Sequence, residues 1–306
     1  MNETIVNPKD TVPYQMHSDT NVKGIIEYYE DTGLDYGTWS RDYNMHFGFW
    51  RKWLNPFRRE PMLQEMNKQV LHRLYPEDTG DPIYDIGCGL GATMRTFARR
   101  YPGRHITGAT LVPWQIQKAQ ELNERQGLHS QISLVHADYL HMPVSDNSVS
   151  AAYALESCCH APGESKEAFL QELYRILKPG ARSVIVDGFT KIPRSEFSGL
   201  FRYCVDHTCK GWALPCFPAL NPFVEAMHTI GFDGITFEDI SWRIAPSALH
   251  SPFCVSGFIL KKWWQGEKLN KVRIGHLKSC LLGLLLGMSR RQFGYYIIIA
   301  RKCEPA

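Results

Sequence analysis

The chain has no long apolar run, no paired-cysteine spacing, no block of like charge and no internal repeat. Each absence removes a class of protein. The longest aliphatic stretch, Leu281 to Met288, lies between Lys278 and Arg290-Arg291. It falls far short of the ~20 residues that a membrane-spanning helix needs, although contact with a membrane surface remains compatible with it. The cysteines number nine, and none forms a C-x-x-C pair, so neither a disulfide framework nor a zinc site is expected and the metal expectation is none. With 34 Lys+Arg against 31 Asp+Glu over 306 residues the formal charge is +3, too even a balance to suggest nucleic acid as a partner. Met1 to Thr20 is polar and has no apolar centre of the kind a secretory signal carries; with unpaired cysteines, a reducing cytoplasm is the expected location.

What is present is an alternation of β-rich and helical patterns between Ile83 and about Gly188, the arrangement of parallel strands joined by crossover helices. Ile83-Tyr84-Asp85-Ile86 reads as a first strand and Ala92 to Tyr101 as the helix behind it. His105 to Gly108, Ile132 to His136, Ser150 to Leu155 and Arg182 to Asp187 read as the next four strands. Helices are expected from about Pro113 to Gln126 and from Lys166 to Leu177, the second ended by Lys178-Pro179-Gly180. A helix near Asn221 to Ile230 and strands at Gly234 to Ile240 and Phe293 to Ala300 complete the set. Two stretches, about 190–218 and 242–292, read as irregular inserts rich in aromatic and aliphatic residues. The expected fold is α/β: a Rossmann-like, seven-stranded, mostly parallel sheet, with a helical amino-terminal cap over 1–80, a nucleotide-binding core over 81–189, and the remainder with both inserts over 190–306. Cap and inserts are placed over the carboxyl edge of the sheet, where ligands bind in such folds.

Asp85-Ile86-Gly87-Cys88-Gly89-Leu90-Gly91 follows a strand and opens a helix, so its glycines let the backbone turn tightly and approach a ligand. Spacing alone leaves a nicotinamide cofactor open, with Ala92 in the place of a third glycine. Asp85 discriminates, because a carboxylate there repels a pyrophosphate and attracts the cationic amino acid end of S-adenosylmethionine.

Further along, Ala137-Asp138, Met142-Pro143 with Asp146-Asn147-Ser148, and Arg175-Ile176-Leu177-Lys178-Pro179-Gly180 follow the loop in order. With these the sequence resembles the class I S-adenosylmethionine-dependent methyltransferases over about Ile83 to Gly188. Ala181 stands where that family usually has a second glycine, and Ala109-Thr110 stands where it usually has a ribose-binding acid. The resemblance implies S-adenosylmethionine as cofactor, with Asp85, Gly87, Cys88, Gly89, Gly91, Thr110, Leu111, Gln115, Asp138, Tyr139 and Glu156 around it. Asp138 is expected at the adenine amino group, and Thr110 and Gln115 as neutral substitutes at the ribose.

Tyr153-Ala154-Leu155-Glu156-Ser157-Cys158-Cys159-His160-Ala161-Pro162 resembles the corresponding segment of the sterol C-24 methyltransferases and their small-molecule relatives, and Tyr43 to Trp50 resembles the aromatic segment before their core. The resemblance implies C-methylation of an apolar isoprenoid or sterol. Attack by an alkene leaves a carbocation, which aromatic faces stabilise and a base must quench. Glu156 and His160 are the candidates for charge stabilisation and proton removal, with Tyr43 and His46 expected to line the same pocket from the cap. Cys158 and Cys159 read as packing, since direct methyl transfer needs no thiolate nucleophile. An O- or N-methyltransferase, a cyclopropane fatty acid synthase-like enzyme and a catalytically silent binding subunit are the alternative readings. The segment 253–292 reads equally as a lid, a buried helix, a peripheral membrane contact or a homo-oligomer interface.

Overall fold

The computed structural model of the protein describes residues 20–74 and 82–304; the expectation for Met1 to Thr20 and the cap–core boundary near residue 80 lie essentially outside them. Three helices come first, α1 (Thr20–Thr32), α2 (Tyr36–Trp39) and α3 (Arg59–Leu74). The core follows as β1 (Ile83–Ile86), α4 (Ala92–Arg100), β2 (Ile106–Thr110), α5 (Pro113–Arg125), β3 (Ile132–His136), β4 (Val149–Leu155), α6 (Glu167–Ile176) and β5 (Leu177–Thr190). The carboxyl-terminal part runs α7 (Gly199–Gly211), α8 (Leu220–Ile230), β6 (Phe232–Asp239), α9 (Ser241–Ala248), α10 (Ser251–Trp264), α11 (Lys271–Met288) and β7 (Phe293–Lys302).

The seven strands form one sheet in the order β3-β2-β1-β4-β5-β7-β6, with β7 antiparallel to both neighbours and the remaining pairs parallel. The seven-stranded, mostly parallel architecture is the one expected. Strand order reverses between β1 and β4, and a crevice at that switch point is where open α/β sheets bind ligands. Successive side chains point to opposite faces: Val184 and Val186 join the layer containing Phe97 and Leu71, while Ile185 joins that of Phe169 and Phe223. Removing a ring as buried as Phe97 or Phe169 costs about 3–5 kcal/mol in such a core. Local signals set several boundaries: Pro113 opens α5, and Gly231, at φ +110°, ends α8.

Two expectations need correction. The helix before the fifth strand ends at Ile176, and the backbone enters β5 at once, with Leu177 paired to Val149. Pro179 disfavours helical geometry at Lys178, so no extra turn forms. The inserts are also not irregular, since 199–211 and most of 241–288 are helical. In α7 the buried positions Phe201, Cys204, Val205, Thr208 and Cys209 follow a helical period. In α11 apolar residues occur all round the helix, which hides that period in the sequence.

Candidate active site

Two cavities meet above the carboxyl ends of β1, β4 and β5. The smaller, about 190 Å³, is lined by the glycine loop, Thr110, Asp138, Glu156 and Ser157 among others. The larger, about 540 Å³, is lined mainly by aromatic and aliphatic side chains of α1, α2 and α9–α11. Tyr29, Met45, His46, Glu156 and His160 line both, so they form the wall between them.

The glycine loop needs its glycines. Gly87, Gly89 and Gly91 have φ of +82°, +52° and +74°, the left-handed region that other residues enter at a cost. A Cβ on Gly87 would collide with the Ser157 side chain, which donates to the Ile86 carbonyl and so ties the β1 and β4 loops together. Asp85, at the end of β1, lies opposite Tyr153 of β4 and accepts a 2.7 Å hydrogen bond from the Tyr153 hydroxyl. Burial pushes the Asp85 carboxyl up to about 7, and the Tyr153 bond opposes the shift. Thr110 Oγ1 donates to Gln115 Oε1 at 2.6 Å, so the two neutral ribose candidates hold each other. Asp138 Oδ1 accepts from the Leu140 amide at 2.9 Å.

The chemistry of this lining tests the expected cofactor. Asp85, Asp138 and Glu156 face the smaller cavity, and its described lining includes no lysine or arginine. Such a set suits a ligand with a sulfonium and an ammonium, and it opposes a pyrophosphate. The residues present therefore fit S-adenosylmethionine.

Glu156 sits at the start of the turn after β4 with φ +50°, a strained position for a non-glycine residue that aims its carboxyl at the shared wall. Its Oε1 accepts from the Phe47 amide at 2.7 Å and from the Tyr295 hydroxyl. Burial pushes this carboxyl up to about 8; the Tyr295 and Phe47 donors oppose the shift and the nearby Asp187 adds to it. His160 Nε2 lies 3.1 Å from the Tyr29 hydroxyl. Burial holds the His160 ring down to about 4, against a backbone bond at Ala213, so the imidazole is neutral at pH 7. The turn carrying His160 is fixed by Lys166, whose buried Nζ donates to the carbonyls of Cys159, Ala161 and Cys216 at 3.1, 2.6 and 2.8 Å.

Other residues expected here are placed differently. His46 lies in the wall, but its Nδ1 is 2.9 Å from the Phe47 carbonyl and its Nε2 is 2.9 and 3.2 Å from Asn67 and Asn44. Burial holds the ring at about 4, and the Asn44–Asn67 cluster fixes its orientation. Tyr43 lines the smaller cavity and not the larger one. Of the aromatic residues around them, Tyr36, Trp39 and Phe47 line the larger cavity, while Phe49 is buried in the core. Cys158 and Cys159 are buried, and burial beside Asp187 pushes both thiols well up, against any thiolate role. Arg175 binds Glu172, Asp146 and the carbonyls of Met142 and Val144, so those motif residues are scaffold.

Sequence reasoning missed Asp187, Tyr29 and Tyr295. Asp187 is buried near the end of β5 and lines the larger cavity, where Oδ2 accepts from the Cys159 amide at 3.0 Å and the Cys158 thiol at 3.2 Å. A carboxylate ending an apolar strand at the ligand-binding edge was its available signal. Tyr295 carried none, because it lies 139 residues from the Glu156 it binds.

Comparison with known proteins gives this arrangement its context. Residues 83–180 match a family described as "Methyltransferase domain". The sequence is 34% identical over 178 residues to sterol methyltransferase-like 1 of Botryococcus braunii, a match that covers 58% of this chain and 44% of that protein. It is 25% identical over 260 residues to 24-methylenesterol C-methyltransferase 2 of Arabidopsis thaliana, covering 85% and 66% respectively. The matched region thus spans roughly half to two thirds of these relatives. The fold is similar to the [4+2]-cyclase SpnF (TM-score 0.74, 18% identity, covering 95% of this chain and 100% of that one). It is also similar to geranyl diphosphate C-methyltransferase of Streptomyces coelicolor A3(2) (TM-score 0.68, 16% identity, 94% and 100% covered). Because one of these neighbours is named a cyclase, architecture alone does not carry the activity. The match makes residues 83–180 a methyltransferase domain, set on a seven-stranded sheet with its glycine loop at the switch point.

Proposed function

We propose that the protein is an S-adenosylmethionine-dependent methyltransferase that alkylates a carbon atom of an apolar, alkene-bearing small molecule of isoprenoid or sterol type. The observation that carries this reading is the wall itself: a buried carboxyl, Glu156, stands between an acidic cofactor cavity and a large, mainly aromatic cavity. Bound S-adenosylmethionine would supply an electrophilic methyl carbon at that wall. The protein's own residues would then hold the acceptor alkene in line with that carbon, and positioning of this kind supplies much of the acceleration. As the new carbon–carbon bond forms, positive charge develops on the adjacent acceptor carbon. The rings of Tyr29, Trp39 and Phe47 line the space around it, and the Glu156 and Asp187 carboxyls, in their ionised forms, stabilise it electrostatically. Neutral His160 takes the departing proton through the Tyr29 hydroxyl, 3.1 Å from its Nε2. His46 has its nitrogens committed and acts as a positioning residue for the Phe47 backbone, whose amide holds Glu156.

The same lining favours a neutral acceptor over a diphosphate. Among the described residues lining the larger cavity, the carboxyls are Asp35, held by Arg273, and the buried Glu156 and Asp187, and the one guanidinium is Arg290, held by Asp239, so no unpaired cation faces a diphosphate there. The test is incubation with methyl-labelled S-adenosylmethionine and lipid extracts, followed by identification of the product. A labelled carbon-bound methyl on an isoprenoid or sterol is expected. Label on oxygen or nitrogen, or as a ring methylene, would overturn the assignment.

A further inference from the structure

We propose that the α9–α11 face docks on an anionic lipid bilayer. In α10 the exposed positions Phe253, Gly257, Leu260 and Trp264 recur at helical spacing, opposite the buried Ser251, Val255 and Phe258. In α11 a second solvent-facing stripe runs Lys271, Ile274, Lys278, Leu281, Leu285 and Met288. Trp263 and Trp264 are 74% and 89% exposed and Phe253 is 78% exposed. Apolar surface gathered this way marks a partner or a membrane rather than scattered surface residues.

Charge decides between those two. Residues 251–291 contain eight lysines and arginines and one acid, Glu267, although the protein as a whole has a formal charge of only +3. Lys262, Arg273 and Arg290 are ion-paired internally to Glu267, Asp35 and Asp239. Lys261, Lys268, Lys271, Lys278 and Arg291 are exposed among the apolar side chains. Long cationic side chains interleaved with tryptophan and leucine match a headgroup layer over acyl chains. Among the described residues no helix is long and apolar enough to cross a membrane, so the face would lie on the bilayer. Trp242, Leu249 and Met288 are exposed and also line the larger cavity, which places its rim on this face. Docked in this way, the cavity would open toward the lipid. That delivery role rests on the acceptor reading above, whereas the docking does not.

The experiment is flotation of the full-length protein with phosphatidylcholine vesicles, with and without phosphatidylserine, at low and high salt. Binding is expected to the anionic vesicles and to weaken as salt screens the lysines. Trp263→Ser with Trp264→Ser is expected to lower partitioning about tenfold or more, because both rings leave the interface. These residues do not line the cavity, so methylation of a detergent-dispersed acceptor should be unchanged. Equal flotation of the wild type and the double variant would overturn the proposal. So would absence of vesicle binding, including absence accompanied by dimerisation in light scattering that the double variant abolishes, since the face would then be a self-contact. If anionic vesicles bind but no lipid is methylated, the docking stands and the acceptor reading fails.

Discussion

Replacing Glu156 by Gln tests the centre of the site, because it changes charge while keeping shape. The glutamine carbonyl can still accept from the Phe47 amide and the Tyr295 hydroxyl, so the wall should keep its geometry. What disappears is a buried carboxyl that burial holds at about 8 in place of 4.5. Ionising it within the fold costs up to about 5 kcal/mol, at about 1.4 kcal/mol for each pH interval of one. The sign follows from linkage. Below about pH 4.5 the carboxyl is protonated both folded and unfolded, and the variant gains nothing. Between 4.5 and about 8 the unfolded protein loses its proton first, so the native state loses stability as pH rises and the variant does not. Above about 8 the variant's advantage is complete. Turnover should move the other way, falling about 100- to 1000-fold, the loss usual when an electrostatic stabiliser of a transition state is removed. Urea unfolding at pH 5 and pH 9 measures the first effect, and transfer of labelled methyl the second. Affinity for S-adenosylhomocysteine, read by calorimetry, should change little. Wild-type turnover in the variant would remove Glu156 from the chemistry, and an equal stability difference at both pH values would refute the burial argument.

Asp85→Ala should weaken binding of S-adenosylmethionine by about 10- to 100-fold, the value of hydrogen bonds to a charged group; unchanged calorimetric affinity would sink the cofactor assignment. Tyr295→Phe removes a donor that holds the Glu156 carboxyl down, so the rising limb of the pH–rate profile should move to higher pH. An unmoved limb would show that Glu156 does not govern it. Gly211→Ala would drive a Cβ into Ser279 Oγ and the Gly275 carbonyl, where α7 crosses α11. Overpacking of this kind costs about 1–3 kcal/mol, visible as a lower melting temperature, and a melting temperature equal to wild type would show that the crossing has slack.

The central sheet and its glycine loop were legible because their signals are local. β1, the Gly87-Cys88-Gly89 turn and α4 are adjacent in sequence, and the turn needs residues that tolerate positive φ. The residues expected around the cofactor are local in the same way, since Asp85, Thr110 and Asp138 stand at or just beyond strand ends and line one cavity. The inserts were harder. In α11, apolar residues on every side erased the period that distinguishes a helix from an irregular segment.

By itself the sequence determined the strand–helix alternation, the cofactor loop and Glu156 after β4, all consequences of neighbouring residues. Only the tertiary structure decided what those residues meet. It brought Phe47 and Tyr295 onto Glu156 from 109 and 139 positions away, Tyr29 onto His160 from 131, and Asn44 and Asn67 onto His46. The physical reason is that a side chain's charge and protonation are set by burial and by partners that packing delivers from anywhere in the sequence, and no local spacing records either.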